Sequence, residues 1–484
     1  MSIMKKIIAV LIIFLISTAS AKAETICFKD VLDKAIKNSY DLKISQTDMK
    51  ITETEIKEAR AEYLPAVALN YDAVYNRDLT KGISSSSSSL SSIGSTTVMN
   101  STSYQNAISA GLQYNLFDFG IRKKKLDIAK KDKSQKQTIY IQDLRDLKIG
   151  LADAYTKVLL TDRELSANEE LLGLNKTLFS MYENIYNAGT IRKTDLTDQA
   201  VKVAILINKI DDLTTETKNA FSDISFYTGE SYTTSSKFLN LLEEEEGVIP
   251  VSNIGKSAIK LEINESDILN IEKFPEYKEY QMEIEKKKDE LSVLKRQNLP
   301  QFKFYTNYYF YGSNKDNFSN TFKDMGSKSA SFRIASSLPV FDGFKNQALR
   351  ERAKLEIEKL TLERDKKVQT VKTYYEKIYD QSKDMPQKII NQSTSLKLTE
   401  EKISMLEKLN QQHLIDKISY LKQKVDLINQ KFELEKTKIN SEAAAYKIRI
   451  LAESEEELIQ QNNLNKKNTK PKLKTVPIKE KKTI

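Results

Sequence analysis

The chain has 484 residues, of which 30% are charged, with no tryptophan, one cysteine and one histidine. One cysteine and one histidine exclude a catalytic triad, a zinc cluster and an intrachain disulfide framework, so we expect neither an enzyme nor a bound cofactor or metal. Only 13 glycines and 8 prolines interrupt a sequence rich in lysine, glutamate, leucine and isoleucine, which predicts long uninterrupted helices.

The N-terminal segment, residues 1–23, has the features of an export signal. Lys5 and Lys6 precede an apolar stretch from Ile7 to Ile16, and Ala21-Lys22-Ala23 matches a cleavage site. The apolar stretch is too short to span a bilayer. We therefore predict a signal peptide over residues 1–23 and an exported mature chain.

Cys27 lies close to this cleavage site, which raises the question of a lipidated N-terminus. The preceding residues, Glu24-Thr25-Ile26, lack the small residue expected before a lipid-modified cysteine. We favour the interpretation that Cys27 is a small buried side chain, and the sequence leaves lipidation open.

The net charge of +9 comes from the two ends of the chain. The signal peptide contributes three positive charges, and the segment from Lys466 to Ile484 contributes eight lysines and one glutamate. The remainder is close to neutral, so we do not expect nucleic acid as a partner. The basic tail, residues 456–484, is predicted to be disordered, and its role is open.

The chain contains one pattern twice. Each copy has a helix that ends at Leu-Pro, two strands separated by a polar loop, a Phe-Asp junction and a long helical hairpin. Asp118 of the first junction corresponds to Asp342 of the second, and Pro65 corresponds to Pro300. Pro65 and Pro300 are farther apart in the chain than Asp118 and Asp342, because the loop between the two strands, which contains the Ser84–Ser89 run in the first copy, is longer there than in the second copy.

The predicted domains follow this duplication. They are a first repeat at 24–230 (strands at about 66–77 and 104–117, hairpin at about 118–228), an equatorial insert at 231–273, and a second repeat at 274–455 (strands at about 301–312 and 329–341, hairpin at about 342–455).

The predicted strands alternate between apolar and polar residues, as Phe302, Phe304 and Tyr308 do against Lys303, Tyr305 and Asn307. A soluble antiparallel sheet has this pattern too. About ten residues per strand, with aromatic residues and no charge on the apolar face, are what a membrane barrel needs. Four strands cannot close a barrel, so a membrane location requires an oligomer, with eight strands in a dimer or twelve in a trimer.

The helices show apolar residues at spacings of three, four and seven, which indicates a coiled-coil seam. A helix of about 70 residues is roughly 100 Å long, too long for a globular domain. Pro386 lies within the second seam and predicts a kink. Turns are predicted near Asn187–Gly189 and Gln411–His413; Gly189 suits a positive φ, and His413 suits it less well.

The order and duplication of these elements resemble the TolC family of outer-membrane efflux and type I secretion channels. The motifs that carry the resemblance are EARAEYLPAVALNYDAVY, LQYNLFDFG, YNAGTIRKTDLTDQA and SLPVFDGF. The resemblance implies an α+β membrane protein whose long coiled-coil hairpins form an α-barrel, continuous with the twelve-stranded transmembrane β-barrel of a homotrimer with four strands per chain. It implies a passive exit duct that contacts outer-membrane lipid, reaches into the periplasm, and works with an inner-membrane pump and a periplasmic adaptor.

The resemblance also implies a periplasmic gate narrowed by acidic residues. Asp195 and Asp198 keep this pattern in the first hairpin. In the second hairpin Ser419 and Lys422 stand at the equivalent positions, with Asp416 as a nearby substitute, so attraction of cations should be weaker there. The alternative role for Asp195 is to stabilise its turn.

Two further sets of residues follow from this interpretation. The turns that contain Gly189 and His413 are the expected adaptor contacts. At the strand–helix junctions, Phe117 and Phe341 suit the membrane–water boundary, and Asp118 and Asp342 suit the first free N–H groups of the helices that follow.

The rival hypothesis is a periplasmic coiled-coil adaptor or structural protein without a membrane barrel. It explains the helices and leaves the four strands as an ordinary sheet. The sequence does not decide between drugs and secreted proteins as cargo, and it does not identify the pump.

Overall fold

The computed structural model describes residues 25–76, 103–233, 237–241, 272, 274–412 and 414–452. The predicted signal peptide, the Ser84–Ser89 run, most of the 231–273 insert, His413 and the basic tail lie outside these residues.

In chain order, the elements of the described residues are β1 (Thr25–Ile26), α1 (Phe28–Asn38), α2 (Tyr40–Ala61), β2 (Ala66–Asn76), β3 (Ser103–Phe117), α3 (Ile121–Asn187), α4 (Lys193–Thr228), β4 (Lys237–Phe238), α5 (Pro275–Arg296), β5 (Gln301–Asn314), α6 (Phe318–Lys323), β6 (Ser327–Ser337), α7 (Lys345–Gln411) and α8 (Lys417–Ala452). Helices α3 and α7 both have 67 residues, and α4 and α8 both have 36. When Asp118 is aligned with Asp342, both ends of α3 coincide with those of α7 and both ends of α4 with those of α8, which confirms the internal repeat.

The chain forms two compact units. Of the described residues, those within 25–47, 137–278 and 365–452 form the hairpin unit, and those within 48–136 and 279–364 form the sheet unit. Each sequence repeat therefore contributes residues to both units.

The sheet unit contains a four-stranded antiparallel sheet with the order β2-β3-β5-β6. Leu69 pairs with Ala110, Ala110 with Tyr308, and Tyr308 with Ala330, so these side chains share one face. This apolar face also carries Val67, Tyr71, Ile108, Leu112, Phe304, Phe310, Phe332 and Ile334. The opposite, polar face carries Asn70, Asp72, Gln113, Lys303, Asn307 and Arg333. The alternation predicted from the sequence is confirmed.

The last predicted strand ends early. Strand β6 stops at Ser337 instead of residue 341, because Pro339 has no N–H group with which to extend the ladder. The predicted polar loop between β5 and β6 contains the short helix α6, whose N-cap Asn317 accepts a hydrogen bond from the N–H of Ser319 (2.9 Å).

The end of β3 also departs from strict alternation. A register shift between Asn115 and Phe117 leaves Leu116 as an extra residue, so Phe117 lies opposite Phe302. Strict alternation along β3 would place Leu116 on the apolar face, and the bulge gives that position to Phe117 instead.

The core of the hairpin unit surrounds Tyr155 of α3, which is fully buried. Its hydroxyl contacts the carbonyl oxygens of Ile26 (3.1 Å) and Leu239 (2.7 Å), and its ring lies 5.1 Å from that of Phe28. These contacts attach the parallel pair β1–β4 to α3. Cys27, beside this pair, is buried, as expected of a small apolar side chain.

The long helices are continuous. Helix α7 continues through Pro386, and the kink expected there stays a prediction. Across the described ranges, every helix is too short or too polar to traverse a bilayer.

Candidate functional site

The first strand–helix junction is organised by Asp118. Its Oδ1 accepts a hydrogen bond from the N–H of Gly120 (3.1 Å), and its Oδ2 accepts one from the N–H of Arg122 (3.0 Å). Its carbonyl oxygen accepts from the N–H of Ile121 (3.1 Å). Asp118 therefore satisfies backbone donors at the start of α3 that have no partner within the helix.

Arg122 connects this junction to the end of α2. Its Nε lies 2.8 Å from Asp118 Oδ2, and its Nη1 donates to the carbonyl oxygen of Glu62 (3.4 Å). The guanidinium also lies 5.1 Å from the ring centre of Tyr63 and 5.9 Å from that of Tyr114. The guanidinium of Arg122 thus links the end of α2, strand β3 and the N-terminal cap of α3.

The environment of Asp118 favours its charged form. Partial burial acts to raise the pKa of Asp118, but the N–H and guanidinium groups of Arg122, the Arg122 charge and the N–H of Gly120 lower it further. The net result is a pKa below the ordinary aspartate value of 3.8.

The second junction uses different side chains for the same task. Asp342 Oδ2 accepts a hydrogen bond from the N–H of Asn346 (2.9 Å), which occupies the position equivalent to Arg122. Asn346 Nδ2 donates to the carbonyl oxygen of Leu294 (3.1 Å), and Arg350 donates to the same oxygen (3.4 Å). This junction is therefore attached to the last turn of α5.

Both junctions contain a pair of residues with positive φ. Phe119 and Gly120 have φ values of 53° and 79°, and Gly343 and Phe344 have values of 67° and 66°. The two phenylalanines are the only non-glycine residues with positive φ in the described chain. Because this conformation costs an L-residue about 1–2 kcal/mol, both junctions hold strained backbone.

The junctions also expose paired aromatic rings. The ring centres of Phe117 and Phe119 are 4.7 Å apart, and those of Phe341 and Phe344 are 5.6 Å apart. Phe341 and Phe344 are 76% and 69% exposed. Exposed aromatic pairs are typical of a membrane–water boundary.

Sequence reasoning found the Phe-Asp pairs and missed their partners. Arg122, Asn346 and Arg296, which donates to the carbonyl oxygen of Phe119 (2.9 Å), had no recognisable pattern. The adjacent Phe and Gly, in reversed order in the two copies, were the available signal for the positive-φ pair.

In the hairpin unit, the first predicted gate residue is part of a helix cap. Gly189 has a φ of 77° and its N–H donates to the carbonyl oxygen of Tyr186 (2.8 Å), which ends α3. Asp195 Oδ2 accepts from the N–H of Arg192 (3.3 Å) at the start of α4. Asp195 and Asp198 are both exposed.

The second turn places its capping acid earlier in the turn. Asp416 Oδ1 accepts from the N–H of Ile418 (3.2 Å), and its Oδ2 accepts from the N–H of Ser419 (3.3 Å). When the two repeats are aligned, Asp416 is equivalent to Arg192, and Ser419 is equivalent to Asp195. The acid that caps the helix has moved along the turn, and Ser419 remains exposed.

Lys422 gives the second turn a different charge. It is exposed, and its Nζ lies 5.6 Å from the ring centre of Tyr182 in α3. The apolar cluster beneath it comprises Leu178, Ile403, Ile418, Tyr420 and Leu421. A cation therefore stands where the first hairpin has Asp198. Among the residues that the structure describes, no group of three or more His, Cys, Asp or Glu residues is arranged to hold a metal.

Comparison with known proteins identifies the architecture. A family model for outer membrane efflux proteins matches residues 31–230. The resemblance to the TolC family is confirmed. A search of curated protein sequences finds no match.

Solved structures show the TolC-type fold over most of the chain. CusC, described by its transmembrane channel formation, has 13% identity and a TM-score of 0.68, with 88% of this chain and 92% of that chain covered. VceC from Vibrio cholerae has 12% identity and a TM-score of 0.67, with 88% and 96% covered. The CmeC outer membrane channel of Campylobacter jejuni has 12% identity and a TM-score of 0.68, with 90% and 89% covered.

The TolC family is one of outer-membrane efflux channels and not of enzymes. The family model covers Asp118, Gly189, Asp195 and Asp198 in the first repeat. Asp416 and Lys422, where the second turn departs from the first, lie beyond residue 230.

Proposed function

We propose that this chain is one subunit of a homotrimeric channel that spans the outer membrane and extends into the periplasm. Three sheets would supply a twelve-stranded barrel. The channel would serve as a passive exit duct, with an inner-membrane pump and a periplasmic adaptor that deliver the cargo. The signal peptide, residues 1–23, would be removed on export, and residues 231–273 would form the equatorial insert.

The observation that carries this proposal is the exposed apolar face of the sheet. Leu69, Phe332 and Val67 on this face are 79%, 76% and 69% exposed. An exposed apolar surface of this kind marks an interaction with lipid or protein. In the described chain β2 and β6 each have one neighbouring strand, and a bilayer requires both open edges to be paired by other subunits.

The test combines membrane fractionation with a heat-modifiability gel of the full chain. The channel predicts recovery in the outer membrane, a compact trimer band in unheated samples and a monomer band after heating. Recovery in the soluble periplasm as a monomer would favour the adaptor-like alternative.

We further propose that Asp195, Asp198 and Lys422 lie at the periplasmic constriction. Acidic groups in a narrow passage attract cations and basic groups repel them. In planar bilayers, Lys422→Asp should increase the preference for cations over anions, and Asp198→Lys should reduce it. Lys436→Asp in α8, whose Nζ lies 3.7 Å from Glu433 Oε1, provides a charge-matched control away from the turn. Equal effects of Lys422→Asp and the control would remove Lys422 from the constriction.

We also propose the turns at Gly189 and His413 as the adaptor contacts. Photocrosslinkers placed at Thr190 and Leu414, both exposed, should capture the adaptor in intact cells. Capture at Phe226, an exposed residue near the other end of α4, but not at the turns would overturn this assignment.

A further inference from the structure

The short helix α6 lies on the apolar face of the sheet. Gly312 of β5 pairs with Asn106 of β3, and both residues belong to that face. A Cβ atom on Gly312 would overlap the carbonyl oxygen of Thr321 and lie 2.9 Å from the N atom of Met325. The absence of a side chain at position 312 is therefore what allows α6 to approach the sheet.

A buried polar contact fastens α6 in this position. Asn106 Nδ2 donates to Thr321 Oγ1 (2.5 Å), and both residues are fully buried although 215 positions apart in the chain. Asn106 Oδ1 accepts from the hydroxyl of Tyr71 (2.9 Å). Without α6, the amide of Asn106 would be uncovered on the apolar face, and an uncovered polar group is costly in an apolar environment. Helix α6 covers it.

The outer surface of α6 carries aromatic and basic side chains. The ring centre of Phe318 lies 6.3 Å from that of Tyr104 and 5.7 Å from that of Phe322, which is 50% exposed. Lys323 is exposed at the end of the helix, and Lys328 Nζ lies 5.7 Å from the ring centre of Phe310. Aromatic rings beside amines that reach toward water match the boundary between acyl chains and anionic headgroups.

The position of α6 along the strands agrees with this boundary. From Phe302 to Gly312, β5 advances ten residues, or about 34 Å at roughly 3.4 Å per residue. Strands in membrane barrels tilt by roughly 35–45°, which converts this length to a height of about 24–28 Å. The apolar band of such barrels is about 25 Å tall, so α6 lies at the edge of the band opposite to the Phe117 and Phe341 junctions.

We propose that α6 is a lipid anchor, with Phe318 and Phe322 among the upper acyl chains of the bilayer and Lys323 and Lys328 at its phosphates. The proposal rests on the proposed function, because it requires the apolar face to lie in lipid. It adds a specific contact that fixes the depth of the sheet in the membrane at the end of the strands opposite to the Phe117 and Phe341 junctions.

The absence of tryptophan from the chain allows a direct measurement of depth. Single tryptophans are introduced by Phe322→Trp on α6, Phe332→Trp near the middle of the apolar face, and Val74→Trp on the polar face. Each full-length variant is reconstituted in vesicles of phosphatidylethanolamine and phosphatidylglycerol, with lipids brominated either near the headgroup or near the chain end.

The three variants separate the anchor from the channel. We expect bromines near the headgroup to quench Phe322→Trp most, bromines near the chain end to quench Phe332→Trp most, and neither to quench Val74→Trp. Quenching of Phe332→Trp without quenching of Phe322→Trp would overturn the anchor and leave the channel intact, with α6 then available to water or a protein. Loss of quenching at Phe332→Trp would overturn both.

A matched glycine pair tests whether packing on Gly312 creates the anchor. In the Phe322→Trp background, Gly312→Ala should displace α6 and reduce headgroup-level quenching at least twofold. Gly326→Ala, at a glycine where an added methyl group would meet no atom within 4 Å, should leave the quenching unchanged. The heat-modifiability gel verifies that both variants assemble, and Asn106→Leu provides a second way to release α6. Unchanged quenching in assembled Gly312→Ala and Asn106→Leu variants would overturn the proposal.

Discussion

The two repeats share a backbone plan and differ in the side chains that stabilise it. The ends of the long helices coincide when the repeats are aligned, and each junction has an aspartate followed by two residues of positive φ. Yet Asp118 accepts hydrogen bonds from both the guanidinium and the backbone N–H of Arg122, whereas Asp342 accepts one from the backbone N–H of Asn346. In the turns, the capping acid is Asp195 in one copy and Asp416 in the other. Both copies therefore need hydrogen-bond acceptors for the free N–H groups at the start of each helix, and more than one arrangement of side chains provides them.

The largest expected difference between the copies is at the junction aspartates. Asp118→Ala removes the cap and leaves the guanidinium of Arg122, whose side chain is 10% exposed, without its carboxylate, so we expect a loss of about 3 kcal/mol per subunit. Asp342→Ala removes only a cap, at about 1 kcal/mol. Thermal midpoints of the detergent-solubilised assembly should order the variants accordingly. Equal midpoints would mean that Arg122 adds nothing to the first junction.

The junction glycines sharpen the comparison. Gly343→Ala places a methyl group where no atom lies within 4 Å, so its cost should be the left-handed penalty alone, about 1–2 kcal/mol. Gly120→Ala has the same penalty and must also move the Arg296 guanidinium, which lies 2.8 Å from the new Cβ. Urea unfolding followed by circular dichroism should therefore show Gly120→Ala as the less stable variant, and the reverse order would contradict this explanation.

The turn acids should show a smaller contrast. Asp416→Ala removes an acceptor for two backbone N–H groups, and we expect about 1 kcal/mol of destabilisation. Asp195→Ala removes one long hydrogen bond of 3.3 Å, so about half of that loss is expected. Amide hydrogen exchange at the first turns of α4 and α8 measures each loss locally. If Asp195→Ala increased amide exchange in α4 more than Asp416→Ala increased it in α8, Asp195 would be the stronger cap and the assignment would be reversed.

Acid should weaken the first junction through Asp118. Because its pKa is lower in the folded chain than its ordinary value of 3.8, its charge contributes stability that is fully present above pH 3.8 and is lost as pH falls below it through the folded pKa. The midpoint difference between the unaltered chain and Asp118→Asn should therefore be constant from pH 7 down to about 5 and shrink below 3.8. A difference that persisted undiminished well below that value would show that Asp118 contributes through shape and not charge.

The sequence by itself determined the features that repeat locally. The alternation of Phe302, Phe304 and Tyr308 with polar residues assigns each side chain to a face because a strand has a period of two. The coiled-coil spacing and the scarcity of glycine and proline determine the long helices, because a helix has its own local period and few residues here would interrupt it. The duplication that matches Asp118 with Asp342 is also visible in the sequence.

Tertiary structure decided what joins distant parts of the chain. The bulge at Leu116, the contact of Arg296 with Phe119, and the Asn106–Thr321 bond that holds α6 on the apolar face leave no periodic signal. Each depends on groups that are far apart in sequence and are brought together by strand pairing and by the absence of a side chain at Gly312. Local pattern specifies the elements, whereas the contacts that position them arise only when the elements pack.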